Sequence, residues 1–123
     1  MNNNVVGWFE IYVDDMQRAK TFYEFVFDRQ LEKLGDTDIE MWAFNGDVNS
    51  YGAPGALVKI PGFPAGRNSV VVYFSCKDCA VQEKRVTEAG GRVEKTKFSV
   101  GPYGFISIVY DTENNLFGLH SFE

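Results

Sequence analysis

The Cys-Lys-Asp-Cys motif at residues 76–79 is the first feature of this sequence that could carry chemistry. Structural zinc usually takes four ligands, either from two such pairs or from one pair plus histidines. This chain has 2 cysteines and 1 histidine, so the sequence argues against a zinc site. Cys79 is predicted to lie at a helix N-terminus, where the dipole lowers a thiol pKa and makes a redox role possible. We favour the interpretation that Cys76 and Cys79 are ordinary small buried residues.

The elements around this motif follow from the pattern of apolar residues. Residues 8–13 alternate, which predicts a strand with an apolar face and a mixed face that carries Trp8, Glu10 and Tyr12. Asp15 is placed to cap a helix whose apolar stripe ends near Asp28. Strand-like runs follow at residues 31–34, 40–44 and 55–60.

The same order of elements begins again after a connector at residues 61–67 that is rich in proline and glycine. A strand over 70–76 precedes a helix capped by Asp78, and strands follow at 93–95, 105–110 and 116–122. Residues 13–15 match residues 76–78, and residues 31–33 match 93–95, at separations of 63 and 62 residues. The sequence therefore predicts one α+β domain over residues 1–123. It comprises two tandem βαβββ modules, about 5–60 and 68–123, that form a curved mixed sheet around a cleft.

Composition limits the possible partners. The formal charge of -5 and the absence of a basic stripe argue against nucleic acid. No apolar run approaches the roughly 20 residues that span a bilayer, so we expect no membrane insertion. The first residues, Met1-Asn2-Asn3-Asn4, lack the basic and apolar parts of a signal peptide, so we expect a cytoplasmic protein.

Three segments together resemble a known superfamily. They are Tyr12-Val13-Asp14-Asp15-Met16, Ala19-Lys20-Thr21-Phe22-Tyr23-Glu24 and Asp111-Thr112-Glu113-Asn114-Asn115. The chain resembles the glyoxalase, bleomycin-resistance and extradiol-dioxygenase (vicinal oxygen chelate) superfamily, whose usual closing motif is Asp-Pro-x-Gly-Asn. The resemblance implies paired βαβββ modules, often in a homodimer, with a site between two concave sheets. It does not imply one reaction, because the superfamily includes metal-dependent enzymes and metal-free proteins that sequester antibiotics.

The resemblance also locates the positions at which the metalloenzymes of this superfamily carry His, Glu or Gln ligands. In this chain those positions are occupied by Trp8, Ala56, Val71 and Gly118. None of these side chains offers a lone pair suited to a divalent cation. We therefore expect no metal and no other cofactor.

A shift of two residues keeps the same strand faces and offers Glu10, Val58, Tyr73 and His120 instead. Glu10, His120 and a phenol fall short of three firm protein ligands, so a displaced divalent metal site is a less favoured alternative. As a functional pair, Glu10 and His120 are better suited to act as general base and acid. The interpretation that we favour over this pair is that His120 is a hydrogen-bonded wall residue and that Glu10 accepts hydrogen bonds from it or from a tyrosine.

The predicted cleft has aromatic walls. Trp8 and Tyr12 on one side, with Tyr73 and Ser75 on the other, suit a flat organic ligand. Trp42 and Phe44 join them only if their strand presents that face, and a place in the core is the favoured interpretation. The segments 47–54 and 99–104 contain glycines and are either lids or ordinary loops.

The leading hypothesis is a metal-independent protein that binds a small aromatic or antibiotic-like molecule and forms a homodimer. The alternative is an isomerase or lyase of the same superfamily that uses Glu10 and His120 as an acid-base pair or as a displaced metal site.

Overall fold

The computed structural model describes residues 4, 6–35, 39–47 and 49–123. The elements, in chain order, are β1 (Phe9–Tyr12), α1 (Met16–Phe27), β2 (Glu32–Lys33), β3 (Glu40–Ala43), β4 (Gly55–Lys59), β5 (Tyr73–Ser75), α2 (Cys79–Glu88), β6 (Arg92–Ser99), β7 (Phe105–Tyr110) and β8 (Leu116–Ser121). A short 3-10 turn, Gly101–Tyr103, lies between β6 and β7.

The strands form two four-stranded mixed sheets with the same topology. Their orders are β1-β4-β3-β2 and β5-β8-β7-β6, and the first strand of each module pairs in parallel with the last. This arrangement confirms the predicted α+β fold of two βαβββ modules. Among the described residues, neither helix is long and apolar enough to cross a membrane.

Most strands are one or two residues shorter than predicted, and two differ by more. The strand expected over 70–76 is regular only at β5, although the Val72 carbonyl and the Cys76 amide still bond to β8. Val70 is exposed and lies outside this ladder. The strand expected at 93–95 extends over all of β6, with register shifts where its pairing with β7 is irregular.

Both predicted helix caps are present. The Asp15 carboxylate accepts a hydrogen bond from the amide of Arg18, and the Asp78 carboxylate accepts one from the amide of Ala80. Each bond satisfies an amide that has no partner within its own helix. Asp28 ends α1 in the left-handed conformation, with a φ of 52°.

The helix-side faces of the two sheets enclose one hydrophobic core. Ile11 and Leu57 of the first module belong to the same buried cluster as Phe117 of the second. The ring of Tyr23 in α1 contacts Phe44 of the first module and Phe117 of the second, with centroids 5.6 Å apart in each pair. The modules are therefore joined through α1, and the opposite faces of the sheets point away from the core.

The two faces of β1 match their prediction. Ile11 and, just beyond the strand, Val13 are buried, whereas Glu10 between them is exposed. On β5, Tyr73 and Ser75 are likewise exposed on the face opposite the core. The polar and aromatic residues of the predicted site are thus on the open sides of the two sheets.

The turn between β7 and β8, residues 111–115, holds the start of the first module's helix. The Glu113 carboxylate accepts hydrogen bonds from the amides of Asp14 and Asp15 at 3.0 and 2.8 Å. It also accepts two bonds from the Arg18 guanidinium, at 2.6 and 3.0 Å. We call this turn, with its side chains Asp111, Glu113 and Asn115, the turn clamp.

The other two side chains of the turn clamp reach further into the first module. Asp111 accepts a hydrogen bond of 2.6 Å from the buried hydroxyl of Tyr23. Asn115 donates to the Tyr12 carbonyl at 2.9 Å and accepts from the Gly66 amide in the connector at 2.7 Å. One turn of the second module therefore fixes a strand, a helix and the connector.

The pKa values of the two carboxylates of the turn clamp are shifted in opposite directions. Burial opposes ionisation of Glu113, but hydrogen bonds from Arg18 and from the Asp15 and Asp14 amides outweigh it and lower the Glu113 pKa. Burial raises the pKa of Asp111, despite its hydrogen bonds from Tyr23 and Asn115. Ionised Glu113 therefore stabilises the fold, whereas ionisation of Asp111 carries a desolvation cost.

Replacing Glu113 by Gln tests the turn clamp. We expect Glu113→Gln to lower the free energy of unfolding by about 2 kcal/mol at pH 7, because charge-assisted bonds to Arg18 and two amides are weakened. Since the folded pKa of Glu113 is lowered, its contribution is present above the unfolded pKa and is lost as the pH falls through the folded pKa. The difference from wild type should therefore shrink on acidification in urea unfolding curves. Glu94→Gln, at an exposed position of β6, is the control, and a pH-independent difference would contradict this account.

Candidate functional site

A cavity on the open face of the second sheet contains three of the predicted site residues. Tyr73 and Ser75 of β5 lie opposite Gly118 and His120 of β8 in the strand register. The cavity has a volume of about 330 Å³. Its walls are formed by Tyr51, Tyr73, Ser75, Val100, Tyr103, Ile106 and His120. We call it the tyrosine cavity.

A loop carbonyl orients the imidazole of His120. Its Nε2 lies 2.6 Å from the carbonyl oxygen of Tyr103, and its ring meets Phe122 edge to face. Because a carbonyl can only accept, Nε2 must carry the hydrogen in this contact. In the neutral ring, Nδ1 is then left as an acceptor, suited to a hydroxyl group of a ligand.

The tyrosine cavity includes residues that the sequence did not single out. Tyr51 and Tyr103 come from the two segments predicted as lids or loops, and both are largely exposed. Val48 of the first segment lies outside the described residues. The glycines of these segments predicted lids or loops. They gave no sign that Tyr51 and Tyr103 would form walls of a cavity.

The other predicted site residues lie elsewhere on the chain. Glu10 and Tyr12 line a cavity of about 120 Å³ beside the connector, with Arg67 and Leu116. The Glu10 carboxylate accepts a hydrogen bond of 3.3 Å from the Trp8 indole. Glu10 and His120 thus line different cavities of the single chain, and their acid-base pairing stays a prediction.

The side chains at the superfamily's metal-ligand positions do not fit a divalent cation. Trp8, Ala56, Val71 and Gly118 provide no carboxylate, imidazole or amide oxygen there. The ring of Tyr73 lies over Gly118 so closely that a Cβ at Gly118 would overlap it. Among the described residues, no group of three or more His, Cys, Asp or Glu side chains is placed to hold a metal.

Trp42 and Phe44 are partly buried and pack against the core, which is the side that the favoured interpretation predicted. Trp42 lies opposite Leu57, which lies opposite Ile11, so its side chain is on the helix side of the sheet. There the Lys20 ammonium lies 4.3 Å from the centre of the Trp42 ring. These rings stabilise the packing of α1 on the sheet.

The two cysteines are free thiols in a protected setting. Burial raises the pKa of Cys76 to about 12, so this thiol is protonated at neutral pH. Cys79 is fully buried, and its sulfur lies 3.3 Å from the Ser121 hydroxyl that donates to it. This environment favours the structural interpretation of the motif over a redox role.

The fold defines the class of protein: two βαβββ modules in which the first and last strands of each module lie side by side. The sequence matches the Glyoxalase/Bleomycin resistance protein/Dioxygenase superfamily over residues 5–119. The chain belongs to this superfamily, as the three sequence segments predicted. A search of curated proteins found no match.

Solved structures share the fold at low sequence identity. An antibiotic binding protein, TnmS3 from Streptomyces sp. CB03234, is 24% identical with a TM-score of 0.68, and the match covers 98% of each chain. The fosfomycin resistance protein FosX from Listeria monocytogenes is 17% identical with a TM-score of 0.69, over 98% of this chain and 94% of that one. A glyoxalase I mutant from Zea mays is 16% identical with a TM-score of 0.74, over 94% of this chain and 45% of that one.

The contact between the Tyr73 ring and Gly118, one of the superfamily's metal-ligand positions, can be tested by adding a methyl group at Gly118. We expect Gly118→Ala to lower the free energy of unfolding by about 1–3 kcal/mol, because the new methyl group displaces the Tyr73 ring. In a Tyr73→Ala background the same substitution should cost at least about 1 kcal/mol less. Urea unfolding of the four proteins measures this coupling. Gly7→Ala, with open space around its Cβ, is the control, and additive effects of Gly118→Ala and Tyr73→Ala would contradict the contact.

Proposed function

We propose that this protein binds a small, flat, hydroxylated aromatic molecule in the tyrosine cavity without a metal ion. The observation that carries the proposal is the convergence of three tyrosines on the fixed imidazole of His120. Aromatic walls with one or two placed polar groups are typical of sites for planar organic ligands. The tyrosine rings supply contact area, and Nδ1 of His120 accepts the ligand hydroxyl.

The chemistry of the wall supports binding without a cation. The donors that a divalent metal prefers are replaced by Trp8, Ala56, Val71 and Gly118, and the ring of Tyr73 fills the space above Gly118. A ligand that enters here meets phenol and imidazole groups rather than carboxylates. We infer that specificity arises from ring stacking and one hydrogen bond to His120.

The antibiotic binding protein among the similar structures supports a binding role as the setting for this proposal. TnmS3 is described as an antibiotic binding protein and FosX as a fosfomycin resistance protein. Binding of an antibiotic-like aromatic molecule is the function we propose for this chain by analogy with the first. The identities lie below 25%, so the argument rests on the tyrosine cavity itself.

Two further expectations accompany the proposal. We propose a homodimer, because Trp8, just before β1, is exposed and would complete a cleft against the open face of a second copy. A cytoplasmic location stays a prediction from the sequence.

Titration with 2-naphthol, a neutral flat ligand with one hydroxyl, tests the proposal. Protein dialysed against EDTA should bind the probe with unchanged affinity in calorimetry, because no cation takes part. We expect Tyr73→Ala to weaken binding about tenfold and His120→Ala about fivefold, through loss of a stacked ring and of one hydrogen bond. Phe25→Ala, at an exposed ring of α1 outside the tyrosine cavity, should change nothing.

Two results would overturn the proposal. Loss of binding after EDTA treatment, restored by a divalent cation, would replace it with a metal site. Equal affinities of the Tyr73→Ala and wild-type proteins would remove the tyrosine cavity as the binding site.

A further inference from the structure

A larger chamber adjoins the tyrosine cavity and shares Tyr51 and Ser75 with it. Its volume is about 790 Å³. We propose that this chamber receives the acidic end of the ligand, so that the protein binds an elongated aromatic acid whose hydroxyl lies at His120. The inference rests on the proposed function, because the chamber shares two of its wall residues with the tyrosine cavity. We call it the acid chamber.

Phenylalanine rings form an apolar wall of the acid chamber. Phe74 lies at its centre, with ring centroids 4.4 Å from Phe27, 5.5 Å from Phe44 and 6.0 Å from Phe9. These four rings belong to the edge of the core, and all four line the chamber. Such a wall offers no partner for a charge, so an anionic group in the acid chamber is expected at its cations rather than at the rings.

The charges around this wall favour an anion. Lys77 lines the acid chamber and forms no ion pair among the described residues. Arg29 also lines it, donates from one guanidinium nitrogen to the Asn45 carbonyl at 2.6 Å, and forms no ion pair with any residue that the structure describes. The facing carboxylate, Asp47, already accepts a hydrogen bond from the Asn49 amide at 2.9 Å. The lining carries two cations and one carboxylate, whereas the whole chain carries a charge of -5, so the acid chamber is more positive than the chain as a whole.

β5 and the two residues that follow it set the distance between the two ends of the ligand. Ser75 lies opposite His120, and Lys77 follows it by two residues, about 7 Å further at the rise of an extended chain. The Cys76 amide bonds to the His120 carbonyl at 2.7 Å, which keeps this segment beside β8. A two-ring aromatic acid is long enough to place its hydroxyl at His120 and its carboxylate near the Lys77 ammonium.

Two probes that differ only in charge test the inference: 6-hydroxy-2-naphthoate and its neutral amide, 6-hydroxy-2-naphthamide. We expect the acid to bind wild-type protein at least fivefold more tightly than the amide in calorimetry at low salt, and the preference to shrink as salt is added. Lys77→Gln should weaken binding of the acid about fivefold and leave the amide within twofold. Lys84→Gln, at an exposed position of α2, makes the same change in net charge and should leave both affinities unchanged.

The outcomes separate this inference from the proposed function. If the amide binds through Tyr73 and the acid binds no more tightly than the amide, the proposed role of the acid chamber is refuted. The tyrosine cavity then remains the binding site. If Lys77→Gln and Lys84→Gln weaken the acid equally, the effect is one of net charge and the inference is again overturned. If neither probe nor 2-naphthol binds, the proposed function fails, and the inference fails with it.

Discussion

The carboxylate of Glu113 is the contact on which the arrangement of this molecule depends. It belongs to the second module, yet its partners are the Asp14 and Asp15 amides and the Arg18 guanidinium at the start of α1. Charge-assisted bonds of this kind are directional, so they fix the angle at which the first module meets the second. Asn114 supports the turn in the left-handed conformation, with a φ of 64°, at the position where the superfamily's usual motif has glycine.

The joined modules share one core, and this determines which surfaces remain for binding. Tyr23 enters the core from α1, contacts rings of both modules and bonds to Asp111 of the turn clamp. The open faces of the sheets then carry the residues that the core does not use, such as Tyr73 and His120. Both the tyrosine cavity and the acid chamber lie beside β5, where the second module's outer face meets the edge of the common core.

Much of the fold could be predicted from local patterns, whereas the site could be predicted only in part. Alternation along residues 8–13 and the caps at Asp15 and Asp78 are local signals, and the structure bears them out. The face of Trp42 depends on its register with β4, which the sequence does not encode locally. Whether Glu10 meets His120 depends on the packing of whole modules, and the wall positions of Tyr51 and Tyr103 depend on loop conformation.

The central claim is that the tyrosine cavity binds a hydroxylated aromatic ligand without a cation. A crystal structure of chelator-treated protein with 2-naphthol, with anomalous data sensitive to transition metals, tests it most directly. The account predicts the naphthalene ring against Tyr73, the hydroxyl within hydrogen-bond distance of His120 Nδ1, and no anomalous peak in the cavity. A cation bound by Glu10 or His120, or a ligand bound away from Tyr73, would contradict it.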